Sequence, residues 1–308
     1  MPVPSDLHVD RALSNISIEF RNAADAYVAS MVLPKVPVKF ESDKYYEYDK
    51  GNRFQIPTIK RAPKSAFARG DWAITTQTYS AEEYGWEELI DDRERENADD
   101  PIAPDRDSTE VATDIVLIAY EQRVVDLVTS TANITQNTTL SGTSQWSDFA
   151  NSDPFTDVRT GIDTIQKATG VRPNALAMGY EVWNKLQDHP DLLERVKYTQ
   201  RGLITREIVA AAFDLEEIHV SRALKNTAKE GQTVSLGYMW GKDALLYFKQ
   251  RTPGIKRVSL GYTFQVRDLK VERYREEPRK SDVVRVTHLV DEKLVAAACG
   301  YLIKAAVA

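Results

Sequence analysis

The chain has 308 residues, 42% of them apolar and 28% charged, with a formal net charge of −6. That size allows one large or two modest folded domains, and the composition is ordinary for a folded soluble protein. The acidic balance argues against a general nucleic-acid binder. A single cysteine, Cys299, excludes an internal disulfide, and no apolar run approaches the ~20 residues needed to cross a bilayer.

Residues 1–38 read as a leader. Its start lacks the basic-then-apolar pattern of a signal peptide, so an intracellular, reducing compartment is expected. Helical spacing is present around Ile18–Val32, after which Pro34 and Pro37 favour extended backbone. Residues 38–60 and 71–90 alternate like strands. Tyr46 and Tyr48 share one face of the first, and Trp72, Ile74, Thr76 and Thr78 share one face of the second. A two-stranded ribbon of this kind is marginally stable alone and needs a surface to lie on.

Charge in this region is segregated. Between Lys50 and Gly70 stand six bases, Lys50, Arg53, Lys60, Arg61, Lys64 and Arg69, and no acid. Between Glu82 and Glu110 stand thirteen acids against three bases. Unpaired charge is costly to bury, so neither block suits a core. The opposite signs predict that the basic stretch of one copy docks on the acidic stretch of another, with Glu87, Glu88 and Asp91 as targets. A solvated hairpin followed by a polar loop also fits the charge pattern.

Asp107 suits an N-cap with Glu110 as its capping-box partner, which predicts a helix over 108–131. Apolar residues surround much of its circumference, implying contact on more than one side. Residues 133–152 are polar and read as a linker. Beyond them, a helix capped by Asp153, opened by Pro154 and closed by Gly170 begins a compact α/β stretch. Strands are expected at 175–178, 217–221, 234–240, 244–250, 262–266, 270–275, 283–287 and 294–303, with helices carrying Trp183, Leu192 and Phe213.

Catalytic patterns are absent. The four histidines lack metal-ligand spacing, and His189, just before Pro190, reads as a capping or surface residue. The run Gly237–Asp243 matches a P-loop only superficially: three residues instead of four separate its glycines, and Asp243 stands where Ser or Thr must hold magnesium. Cys299 sits in an apolar run and reads as an inert buried thiol.

The whole order (short leader, charged β excursion, long helix, linker, α/β domain, C-terminal strands) resembles that of tailed-phage major capsid proteins with the HK97 fold. So do particular runs: Ser42–Gly51 (SDKYYEYDKG), Asn97–Pro101 with Asp105–Asp107, Thr169–Leu176 (TGVRPNAL) leading to Trp183 and His189–Asp191, Trp240–Asp243 and Asp291–Val295. The resemblance covers nearly the whole chain. It implies an α+β fold with an N-terminal arm over 1–38, an E-loop hairpin over 39–95, a spine helix with part of the P-domain over 96–152, an A-domain over 153–275, and strands over 276–308 returning to the P-domain. It further implies a non-enzymatic subunit of an icosahedral virion shell, assembled in the host cytoplasm as hexamers and pentamers around double-stranded DNA. Expected partners are further copies, a separate scaffolding protein, a portal, decoration proteins, and packaged DNA touched weakly and non-specifically by bases such as Arg11, Arg21 and Arg123. No cofactor and no membrane are implied. An encapsulin-type compartment shell, or an enzyme with its site in the α/β domain, are the alternatives.

Overall fold

The structure is a computed structural model and describes residues 21–48, 51, 54–57, 59–67, 69–70, 74–98, 102–196, 204–252 and 257–308. Lys50, Arg53, Arg11 and Trp72 lie outside them.

The chain opens with a one-turn helix α1 (Ala29–Val32) and a short strand β1 (Lys35–Pro37), then forms a ribbon of β2 (Ser42–Tyr48) and β3 (Ile74–Ser80). Strand β4 (Glu82–Asp91) and helix α2 (Asp92–Glu96) precede the long helix α3 (Pro104–Val128). After β5 (Asn137–Thr139) come α4 (Pro154–Thr169), β6 (Ala175–Gly179), α5 (Tyr180–Gln187), α6 (Pro190–Val196), α7 (Arg206–Phe213) and β7 (Glu217–Ser221). A small ribbon of β8 (Leu224–Asn226) and β9 (Leu236–Tyr238) leads to β10 (Ala244–Tyr247), the long strands β11 (Gly261–Glu276) and β12 (Ser281–Leu294), and β13 (Gly300–Lys304).

Two sheets organise these elements. One has the order β1-β11-β12-β4, the other β5-β13-β10-β6-β7. The five-stranded sheet is covered on both faces, which is why β6 and β10 are apolar throughout rather than alternating. Leu176, Met178, Leu246 and Ile303 point to α4–α7; Ala175, Ala177, Leu245, Tyr247 and Leu302 point to the C-terminal half of α3 and to residues 26–33. The N-terminal half of α3 crosses the other sheet, where Ala112 and Val116 pack on Val286. One helix therefore spans both layers. Its fully buried stripe runs from Ala112 to Val128, with Ile115, Leu117 and Ile118 half-buried beside it.

Several expected boundaries shift, each for a local reason. Helix α3 starts at Pro104, four residues before the expected Ser108. Proline suits the first helical position, and Asp107, instead of capping, reaches back to accept from the Ala103 amide at 3.2 Å. The expected 18–32 helix contributes only α1 and a short 3-10 turn over Ala24–Ala26 among its described residues. The expected 71–90 strand breaks at Ala81: β3 pairs with β2, whereas β4 leaves the ribbon to pair with β12. The polar stretch 133–152 is no free linker. Ile134 and Trp146 are fully buried, the Trp146 indole donates to Asp157 at 2.8 Å, and β5 pairs with β13. Strand pairing thus divides the chain differently from the expected boundaries at 152 and 275. Residues 137–139 and 300–304 join the five-stranded sheet, and 261–276 join the other.

Other local signals hold. The Asp153 carboxylate accepts from the Thr156 amide at 3.0 Å, and Gly170 closes α4 with φ of 74°. Cys299 is buried. His189 is buried too, and its Nδ1 accepts from the Asp191 amide at 3.3 Å, a capping role at the start of α6.

Candidate assembly surfaces

The β2–β3 ribbon is fastened at its base, and farther out the Phe54 ring lies against Gly170 at the end of α4. Tyr79 stacks on Phe264 with centroids 4.6 Å apart, and Tyr45 stacks on the same ring at 5.8 Å. The Ser80 amide donates to Asp291 at 2.9 Å, and the Lys293 ammonium donates to the Thr78 carbonyl. Beyond this base the loop is core-poor. Ile56 is 95% and Ile59 84% exposed, and Phe54, Phe67 and Phe40 are also exposed. Such large apolar side chains held in water mark an interaction surface.

The sequence-predicted bases Lys60, Arg61, Lys64 and Arg69 lie on this loop, all exposed. Arg61 sits over the Phe67 ring at 4.7 Å. Among the described residues, none of the four is paired with an acid. Lys64 takes a left-handed backbone, φ 65°, next to Pro63. The loop therefore offers cationic and apolar groups side by side, and among the described residues no acid of the same subunit pairs with its four described bases.

The predicted acids behave differently. They lie on or at the end of β4, an edge strand of the four-stranded sheet. Glu87 pairs with Arg285 of β12, its neighbour in register, at 2.5 Å. Asp91 caps α2, accepting from the Arg93 amide at 2.8 Å while Glu94 reaches back to complete the capping box. Glu88 accepts from the Trp86 indole at 2.6 Å and has no cation beside it among the described residues. Trp86 and Leu89 on the same strand are 45% and 43% exposed.

Just past β4, the acids of the sequence run meet arginines from far along the chain. Arg275 grips Asp92 with two nitrogens, at 2.6 and 2.7 Å. Arg95 spans Asp282 at 2.8 Å and Asp105 at 3.0 Å, and Arg273 pairs with the same two acids at 2.5 and 3.3 Å. The hydrogen bond from Arg273, with that from Arg95, pulls the Asp282 carboxyl down to about 2. This network binds α2, the start of α3 and the tip of the β11–β12 hairpin. Nothing in the sequence beyond charge pointed to it, because Arg273, Arg275 and Asp282 lie 181 to 190 residues beyond Asp92.

Two further basic residues had been expected to face DNA. Arg21 pairs with Glu110 at 3.3 Å. Arg123 pairs with Glu292 at 2.8 Å and lies 3.6 Å from the centre of the Tyr84 ring, so its charge is occupied inside the subunit.

The model of a family described as phage major capsid protein E matches residues 115–261. The major capsid protein of Pseudomonas phage JBD67 is 29% identical over 97% of both chains. A solved phage-related protein from Bordetella bronchiseptica superposes with a TM-score of 0.70 at 26% identity, covering 92% of this chain and 93% of that one. Over nearly its whole length the chain is thus similar to phage major capsid proteins. Its fold is the HK97-like α+β capsid fold, and its role is that of a structural shell subunit of the virion. The holo-SrpI encapsulin of Synechococcus elongatus, at 12% identity and a TM-score of 0.55, shares the fold alone. The exposed ribbon stands where the resemblance puts the E-loop, and α3 where it puts the spine helix.

Proposed function

We propose that this capsid protein assembles as hexamers and pentamers of an icosahedral shell around double-stranded DNA, in the host cytoplasm, without catalytic activity of its own. A separate scaffolding protein, a portal and decoration proteins complete the set of partners. DNA contact is weak and non-specific: the subunit carries a net charge of −6, and packaged DNA brings its own counterions.

The observation that carries the assembly mechanism is the E-loop. Lys60, Arg61, Lys64 and Arg69, with Lys50 and Arg53, form one half of an intersubunit contact. The other half is the β4 edge of a neighbouring subunit, with Glu87, Glu88 and Asp91. Within that trio Glu88 is the best-placed target, since Glu87 and Asp91 already serve their own subunit. Ile56 and Ile59 of the loop complement Trp86 and Leu89 of the edge strand. Each exposed ion pair contributes only ~0–1 kcal/mol, so single contacts stay reversible while the closed shell sums many of them. Electron microscopy of purified protein with and without its scaffold tests the reading. Closed shells that fill with DNA during packaging are expected. Shells filled with a partner enzyme instead would favour an encapsulin-type compartment, and a protein that stays monomeric under all assembly conditions would reject the shell.

A further inference from the structure

Residues 22–37 form a strap that runs from β8 and the end of β7, past α3, to β11. At β8, the Asn22 side chain donates to the Leu224 carbonyl and accepts from the Leu224 amide, both at 2.9 Å. Asp25 pairs with Arg222 at 2.5 Å, and the Ala26 carbonyl accepts from the Arg222 amide at 3.2 Å. At the other end, β1 pairs in parallel with β11, and the Leu33 and Pro34 carbonyls accept from the hydroxyl and amide of Thr263. Between these ends, Ala26, Val28, Ala29, Val32 and Leu33 are buried beside Tyr120, Val124 and Val128 of the spine helix.

At the centre is a group that no sequence pattern singles out. Glu121 of the spine helix is fully buried. Its carboxylate accepts from the Ala29 amide at 2.7 Å, from the Val28 amide at 3.1 Å, from the Trp240 indole at 2.8 Å and from the Ser221 hydroxyl at 3.4 Å. No cation is paired with it among the described residues. Burial pushes its carboxyl above the ordinary range, and the four donors oppose that push. A buried acceptor so completely satisfied fixes geometry, because its donors are costly to leave unpaired. The donors come from the strap, from β7 and from the turn after β9. One carboxylate on the helix that crosses both sheets therefore ties all three together.

We propose that the strap is an internal clamp keyed by Glu121, which fixes the angle between the two sheet layers of the subunit and so narrows the range of curvatures a shell of these subunits can adopt. Identical subunits in a closed shell meet at angles set by their own shape, so a loosened joint within each subunit spreads those angles and admits shells of several sizes. The clamp rests on the capsid reading for its consequence in the shell, but its existence in the isolated subunit does not.

Glu121→Gln keeps the size of the side chain and replaces one acceptor by a donor that faces other donors. Hydrogen exchange of the isolated variant is expected to show the Val28 and Ala29 amides exchanging about tenfold faster or more, while the amides of β6, β10 and β13 keep their protection. Electron microscopy is expected to show a broadened distribution of shell diameters beside a uniform wild type. Unchanged exchange at Val28 and Ala29 overturns the role of Glu121, and fast exchange with shells of uniform wild-type diameter overturns the role in curvature. Should Glu121→Gln fail to fold, the double variant Asn22→Ala, Asp25→Ala frees the surface end of the strap without touching the core and decides the same two readouts. A wild type that forms no shells would count against the capsid reading, while the exchange arm still decides whether the clamp exists.

Discussion

The E-loop and the β4–α2 region look alike in sequence, two dense blocks of one charge each, and the subunit treats them in opposite ways. The acidic block folds into a sheet edge and the start of α3, and its Asp105, Asp92 and Glu87 find Arg95, Arg273, Arg275 and Arg285 within the same chain. The basic block is held out on a ribbon, with Ile56, Ile59 and Phe67 exposed beside it. Density of charge thus does not reveal whether its partner lies in the same molecule. What decides is whether the backbone carrying it is fastened along its length, as β4 is by β12, or chiefly at its base, as the E-loop is.

The sharpest test of that contrast is reversal of Lys60, Arg61 and Lys64 to Glu. Shell formation should be lost entirely by negative stain, while the thermal midpoint of the subunit stays near wild type, since none of the three contacts the core. Normal assembly, or loss of the fold, would break the comparison.

Reversing Glu87, Glu88 and Asp91 to Lys should behave differently, because two of these acids stabilise their own subunit. Loss of the Asp91 cap alone is expected to cost about 0.5–2 kcal/mol, visible as a lowered unfolding midpoint in urea. Combined with the E-loop reversal, this change should restore shells only in part. Glu88→Lys by itself should rescue as well as the triple change does, with far less loss of stability.

Salt separates the two regions more gently. Exposed contacts are screened over a Debye length of ~8 Å at physiological ionic strength. Assembly yield should therefore fall steadily as sodium chloride is raised, measured by light scattering. The melting temperature of the subunit should change much less, since its cores are apolar.

The smallest effect expected is with acid. The Asp282 carboxyl is held down to about 2 by Arg273 and Arg95. A depressed carboxyl adds stability that is complete above its ordinary value near 3.8 and disappears as pH falls through about 2. Amide exchange at the tip of the β11–β12 hairpin should stay slow down to roughly pH 4 and accelerate below it. Asp282→Asn should remove that dependence while leaving the E-loop amides unaffected.

Much of this architecture was legible in the residues because its causes are local. Asp153, Pro154 and Gly170 bound α4 by rules that reach four residues at most. The alternation of Tyr46 with Tyr48 and the segregated charge of 50–70 and 82–110 marked the E-loop and its neighbour. The order of such signals was enough to suggest the capsid fold. Tertiary structure alone decided the rest. Polar residues 137–139 become a strand because β13, some 165 residues later, offers an edge. Glu87 meets Arg285 because β4 pairs with β12 in that register. Glu121 can stay buried only because Val28, Ala29, Ser221 and Trp240 converge on it. Periodicity and capping are set by a residue's immediate neighbours, whereas the partner of a buried charge or a sheet edge is set by chain segments that only folding brings together.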